Sequence, residues 1–167
     1  LDYPVTILND DSAPVPETSI SDASLTECDG MSGNVQMSFS VSLSMPATGP
    51  ISVNYQTVDG TALNGVDYSG SGVNPLSFVN GQSSTVIQVS ILCDDLPEGD
   101  ESFTVLLSSP SGMVINDGSA TGTIIDNDTG PTVSISDETI TECSGGGTHQ
   151  IFVGVSLSFA LTAPVEI

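Results

Sequence analysis

Apolar and polar residues alternate along most of the chain. Val35, Met37, Phe39, Val41 and Leu43 are separated by Gln36, Ser38, Ser40 and Ser42, the period of a strand with one buried face and one wet face. Ile51-Val53-Tyr55, Ile87-Val89-Ile91 and Phe103-Val105-Leu107 repeat the pattern, with Ser and Thr filling much of the solvent side. Asp59-Gly60, Asn64-Gly65, Asn80-Gly81, Ser111-Gly112 and Asp117-Gly118 punctuate these runs as turns. No window carries a helical period for more than a turn. About seven short strands in roughly 110 residues predict an all-β fold, an immunoglobulin-like sandwich of two antiparallel sheets.

The pattern also repeats itself. Thr18-Ser19-Ile20-Ser21-Asp22 through Thr26-Glu27-Cys28 recurs as Val133-Ser134-Ile135-Ser136-Asp137 through Thr141-Glu142-Cys143, 115 residues later. Val41-Ser42-Leu43-Ser44 recurs as Val155-Ser156-Leu157-Ser158 at an offset of 114, the slip falling in a Gly/Ser-rich loop that tolerates length changes. Val5-Thr6-Ile7-Leu8-Asn9-Asp10-Asp11 resembles Gly122-Thr123-Ile124-Ile125-Asp126-Asn127-Asp128. Tandem repeats are therefore expected, and fixed-period self-similarity is their signature. Residues 1–13 read as the last strand of a preceding repeat plus linker, 14–130 as a complete repeat, and 131–167 as the first strands of a following one. The links are short and proline-marked, at Pro14 and Pro16 and at Pro131, which favours a rod over a flexible string.

Composition sharpens this picture. The 167 residues include no Lys, no Arg and one His against 21 acidic residues, a net charge of −21. Without a cation to displace counterions the chain is not a nucleic-acid binder, nor a polybasic membrane-surface binder. No apolar run is long enough to span a bilayer, so direct membrane insertion is not expected. With 38% hydrophobic residues the chain can still build a core, unlike a disordered acidic tail. The acid is concentrated at Glu27, at Asp59 with Asp67, in Asp94 to Glu101, and at Asp126 with Asp128. In a seven-strand sandwich these segments meet at one pole. Unpaired like charges at close range need protons or a metal to coexist, and a set of carboxylate and carbonyl oxygens is what Ca²⁺ takes. A solvated acidic surface is the plainer reading of any one run; convergence at one pole favours calcium.

The order and spacing of several motifs resemble the Calx-β domain family. They are Thr26-Glu27 after the first strand, Asp59-Gly60-Thr61-Ala62 through Gly65 to Asp67-Tyr68, Leu76-Ser77-Phe78 with Gly81, Asp94-Asp95 through Glu98 to Glu101-Ser102-Phe103, and Gly122-Thr123-Ile124-Ile125-Asp126-Asn127-Asp128. The resemblance implies a Greek-key sandwich whose calcium-binding members hold ions at the pole facing the next domain. Carried over by position, Glu27, Asp67, Asp94, Asp95, Glu98, Glu101, Asp126 and Asp128 are implied ligands, with Asp10, Asp11 and Glu142 as their counterparts in the flanking repeats. Cys28 stands where the family usually has Gly, and Cys93 where calcium binders often have the first Asp of a triplet. If Glu27 and Asp94 share an ion, Cys28 and Cys93 lie close enough to bridge, and a Cys28–Cys93 disulfide is expected, which implies an oxidising, extracellular setting.

No reactive constellation stands beside this pole. His149 has no ligand spacing with a cysteine, no Ser occupies a nucleophile elbow, and the chain has no Trp to stack a sugar. Asn127-Asp128-Thr129 is a glycosylation sequon, although its overlap with the acidic run favours a bare Asn127. The expected function is a non-enzymatic, calcium-binding structural repeat of an extracellular surface or filament protein. Its expected partners are neighbouring repeats or identical subunits, with strand complementation between subunits. The alternatives are a calcium-sensing regulatory module of a membrane protein and a metal-free adhesin or carbohydrate-binding module.

Overall fold

The computed structural model describes residues 14–28, 33–142 and 144–158. The chain divides into two units, with the boundary between Asn127 and Asp128. The segment assigned to a preceding repeat, with Asp10 and Asp11, lies outside the described residues, as does Cys143.

Among the described residues, the first unit has ten strands: β1 (Glu17–Ile20), β2 (Ala23–Thr26), β3 (Asn34–Leu43), β4 (Ile51–Asp59), β5 (Tyr68–Ser69), β6 (Asn74–Phe78), β7 (Ser84–Leu92), β8 (Glu101–Ser111), β9 (Val114–Asp117) and β10 (Ser119–Ile125). They form two five-stranded sheets, β5-β7-β3-β1-β9 and β2-β10-β8-β4-β6. The alternation read from the sequence is the reason. In β3 the side chains of Met37, Phe39, Val41 and Leu43 are buried while Gln36, Ser38, Ser40 and Ser42 are not, and β7, β8 and β10 alternate likewise. Phe39, Tyr68, Phe78 and Phe103 centre the core between the sheets. Tyr68 stacks on Phe103 with ring centroids 4.2 Å apart, and Phe39 meets Phe103 edge-on at 5.9 Å. Offset or perpendicular arrangements of this kind satisfy the ring quadrupoles.

The strand count exceeds the seven expected because the first strand breaks in two and two short strands are added. After Ile20 the chain crosses from one sheet to the other at Ser21-Asp22. The Ser21 N–H bonds the Ser40 carbonyl in the sheet being left, and Asp22 Oδ1 accepts the Thr121 N–H at 2.7 Å in the sheet being joined. As a result β1 runs parallel to β9 and β2 parallel to β10, while the other pairs in the sandwich are antiparallel. The turn glycines Gly65, Gly81 and Gly112 have positive φ, the conformation that glycine adopts at no steric cost. In the second unit, β11 (Val133–Ile135) and β12 (Val155–Leu157) form a two-stranded antiparallel sheet.

Candidate metal centre

The strand register brings the acidic segments together. Asn34 at the start of β3 lies opposite Leu92 at the end of β7, and Tyr68 at the start of β5 opposite Ile91. Asp59 at the end of β4 lies opposite Phe103 near the start of β8, Glu101 opposite Ile124, and Thr26 beside Ile125. Glu27, residues 60–67, residues 93–100 and the run after β10 are therefore neighbours at one end of the sandwich. Gly60 permits the closest approach there, since a Cβ on it would come within 2.4 Å of the Ser102 carbonyl oxygen.

Two groups of carboxylates result. Asp67, Glu98 and Glu101 each offer an oxygen within 4.8 Å of the others, and so do Glu27, Asp126 and Asp128. Calcium takes oxygens at 2.3–2.6 Å, so ligands on opposite sides of one ion stand about 4.6–5.2 Å apart. Both groups fit that spacing with hard oxygen donors alone. Asp67 is the most buried of the six, and its Oδ2 accepts the Leu63 N–H at 2.6 Å. Asp126 ties the groups to one scaffold, because its Oδ2 accepts the N–H groups of Glu98 at 2.9 Å and Gly99 at 2.7 Å.

Crowding of like charges appears in the proton affinities. Burial pushes the Glu101 carboxyl up from its ordinary 4.5 to about 7, reinforced by a hydrogen bond to Asp67 and by the charges of Asp67, Glu98 and Asp94. Without a cation, Glu101 therefore holds its proton more tightly than an ordinary glutamate does. Tyr68 is pushed up to about 12, first by burial and then by donating its hydroxyl to Asp59 Oδ1 at 2.6 Å. Its phenol stays a donor at any physiological pH.

The remaining implied ligands are placed differently. Asp94 lies near enough to raise Glu101 electrostatically, but its Oδ1 accepts the Leu96 N–H at 2.8 Å and it belongs to neither group. Asp95 is exposed and also outside both. Glu142 is exposed in the second unit, and Asn127 is exposed between Asp126 and Asp128. Sequence reading assigned no role to Asp100, whose Oδ1 accepts the Asp126 N–H at 3.3 Å, or to Thr61, whose Oγ1 accepts the Ser102 N–H at 2.8 Å. Asp59 was counted with the acid, yet it works as a brace, holding both the Tyr68 hydroxyl and the Asn64 N–H. No spacing rule marks such loop-bracing bonds.

Cys28 and Cys93 are joined, with Cα atoms 4.9 Å apart across 65 residues, within the usual range for a disulfide. The bond ties the residue after Glu27 to the residue before Asp94, beneath the pole. Gly33 lies over it, 3.4 Å from the Cys93 sulfur at its Cβ position.

The fold is a Greek-key sandwich with clustered acids on the loops at one pole. The chain belongs to the Calx-beta domain family, whose sequence profile matches residues 5–128. Among solved structures, the apo-form Calx CBD1 domain is 27% identical, with a TM-score of 0.56, covering 69% of this chain and 100% of that one. The calcium binding domain CBD12 of CALX1.1 is also 27% identical, with a TM-score of 0.59, covering 77% of this chain and 54% of that one. Adhesion G-protein coupled receptor V1 of Danio rerio is 45% identical over 60 residues, which are 36% of this chain and 1% of that receptor. The chain thus corresponds to a very small part of the curated relative it matches.

Proposed function

We propose that this chain is a non-enzymatic, calcium-binding structural module of an extracellular protein. The observation that carries the reading is the pair of three-carboxylate groups at one pole in a chain without a single Lys or Arg to neutralise them. Asp67, Glu98 and Glu101 hold one ion, and Glu27, Asp126 and Asp128 a second. The cation supplies positive charge where crowded carboxylates repel. It also ties the ends of β2, β8 and β10 to the loop before β5, which stiffens the point where the chain leaves the sandwich. Likeness to a solved calcium binding domain supports the metal, and the Cys28–Cys93 disulfide supports an oxidising compartment. Neighbouring repeats or identical subunits are the partners such a module would meet.

Calorimetric titration with Ca²⁺, repeated after chelation, tests this. A ligand at 100 times its Kd adds about 2.7 kcal/mol to the folded state, so the melting temperature should climb by several degrees. Asp67→Asn and Asp126→Asn should each lose part of the heat. Absence of both heat and melting shift in excess Ca²⁺ refutes the metal. A second reading, in which binding regulates a linked membrane protein, draws on the same structural likeness. It requires Cys28 and Cys93 to be reduced in the cell, which thiol labelling of the native protein decides.

A further inference from the structure

The sandwich carries a polar cavity that is separate from both three-carboxylate groups. Thr57 and Asp59 of β4, Asn64, Tyr68 of β5, Ser71 and Gly72 line a space of about 260 Å³. It is walled by both sheets, since β4 belongs to one and β5 to the other. None of its lining residues belongs to either acidic group.

The hydrogen bonds around the cavity decide what it can accept. Its hydroxyl hydrogens are already committed: Tyr68 donates to Asp59 Oδ1 at 2.6 Å, Thr57 to the Ser71 carbonyl at 3.2 Å, and Ser71 to the Gly72 carbonyl at 3.3 Å. Asp59 Oδ1 also accepts the Asn64 N–H at 3.0 Å. These two bonds orient the carboxylate and leave its Oδ2 without a partner among the described residues. Asn64 Oδ1 accepts the Gly70 N–H at 2.6 Å, and the approach is so close that a Cβ on Gly70 would come within 2.7 Å of Asn64 Cγ. The cavity therefore offers a ligand an oriented, uncompensated carboxylate and an amide group. Such a site repels anions and favours a positively charged group with several N–H donors.

Among cationic and polyol ligands, a guanidinium fits best. Calcium takes six to eight oxygens and would meet a single carboxylate here. A sugar ring packs on an aromatic face, but the Tyr68 ring is buried and stacked on Phe103 at 4.2 Å. An ammonium is a compact point charge, whereas the planar guanidinium presents five N–H groups in a fixed fork that can serve carboxylate and amide oxygens at once.

We infer that this cavity receives an arginine side chain of a partner protein, its guanidinium set against Asp59 Oδ2 and the Asn64 amide oxygen. The 167 residues contain no Lys or Arg, so a second copy of them cannot supply the group. A net charge of −21 draws basic partners in, and a carboxylate already held in place loses little freedom when the ion pair forms. Asp59 and Asn64 are not among the carboxylates proposed to hold calcium, so the inference is independent of the metal.

Nuclear magnetic resonance titration of the isotope-labelled chain tests this, in Ca²⁺ and again in chelator, at physiological salt where diffuse attraction is screened. The probes are capped tripeptides with a central arginine, lysine or citrulline, the last an uncharged isostere of arginine. The arginine peptide should shift the amide signals of Asn64, Gly70 and Ser71 saturably. The lysine peptide should bind more weakly, and the citrulline peptide weaker by about tenfold. Asp59→Asn keeps the acceptor for Tyr68 and Asn64 but removes the charge, so it should weaken the arginine peptide about tenfold without lowering the melting temperature. Asn64→Asp adds a second carboxylate and should tighten the same peptide, an effect that a purely structural role of residue 64 does not produce. Equal binding of the arginine peptide and either of the others overturns the inference. So does an Asp59→Asn chain that binds as well as the wild type, or a set of shifts confined to Asp67, Glu98 and Asp126 at the acidic pole.

Discussion

Thr18 and Glu101 are two residues where local chemistry conflicts with burial. Thr18 is fully buried in β1 and its hydroxyl has no hydrogen-bond partner among the described residues. An unpaired buried polar group costs about 1–3 kcal/mol, and Val occupies the matching position 133. Thr18→Val should therefore raise stability by about 1 kcal/mol, read as a higher urea midpoint with an unchanged slope. Glu101 gives the opposite lesson. Its folded-state pKa, about 7, lies above its ordinary 4.5, so between those values the folded state holds a proton that the unfolded state has lost. Stability of the metal-free chain is then greatest below pH 4.5 on this account and falls as pH rises through 7. Thermal melts in chelator across that window should show the fall, and Glu101→Gln should flatten it. The same substitution should weaken Ca²⁺ binding, because an amide offers one uncharged oxygen where the carboxylate offers two and a negative charge. A variant that is steadier without metal and poorer with it separates a ligand from a merely structural acid.

Among the elements, the disulfide and the close approach at Gly60 hold the pole in shape. Closing a loop of 65 residues removes unfolded-state entropy worth about 4 kcal/mol on the chain-entropy account. Reducing the bond, or replacing both cysteines by Ser, should lower the melting temperature by many degrees while leaving the strand content seen by circular dichroism intact. Gly60→Ala puts a methyl group against the Ser102 carbonyl, where backbone cannot give way cheaply. That change should separate the end of β4 from the start of β8 and weaken Ca²⁺ affinity more than global stability. Alternation in β3, β7 and β8 was legible in the sequence because burial of one face imposes period two. The break of the first strand into β1 and β2 was not, since it is decided by bonds to Ser40 and Thr121, 19 and 99 residues away. The three-carboxylate groups were legible only as a pool of candidates. Asp94 and Asp95 share the loop of Glu98, yet backbone geometry turns only the last into a group with Asp67.

For the molecule as a whole, a net charge of −21 without a Lys or Arg sets the response to solvent. Self-repulsion opposes the compact state and salt screens it, with a Debye length of about 10 Å at 0.1 M. In chelator, raising NaCl from low to moderate concentration should raise the melting temperature. In Ca²⁺ the same change should matter far less, because the densest charge is already neutralised. Equal salt responses in both conditions would remove the pole from the account.

What the sequence determined by itself was the fold class, the absence of Lys and Arg and the pool of acids. These follow from local periodicity and composition, which need no knowledge of distant contacts. The Cys28–Cys93 bond expected from the sequence is present, whereas tertiary structure decided which acids meet and where the first strand crosses between the sheets. Those are matters of register between strands far apart in the chain, where one residue of slip would redirect every side chain, and only the packed sheets fix it.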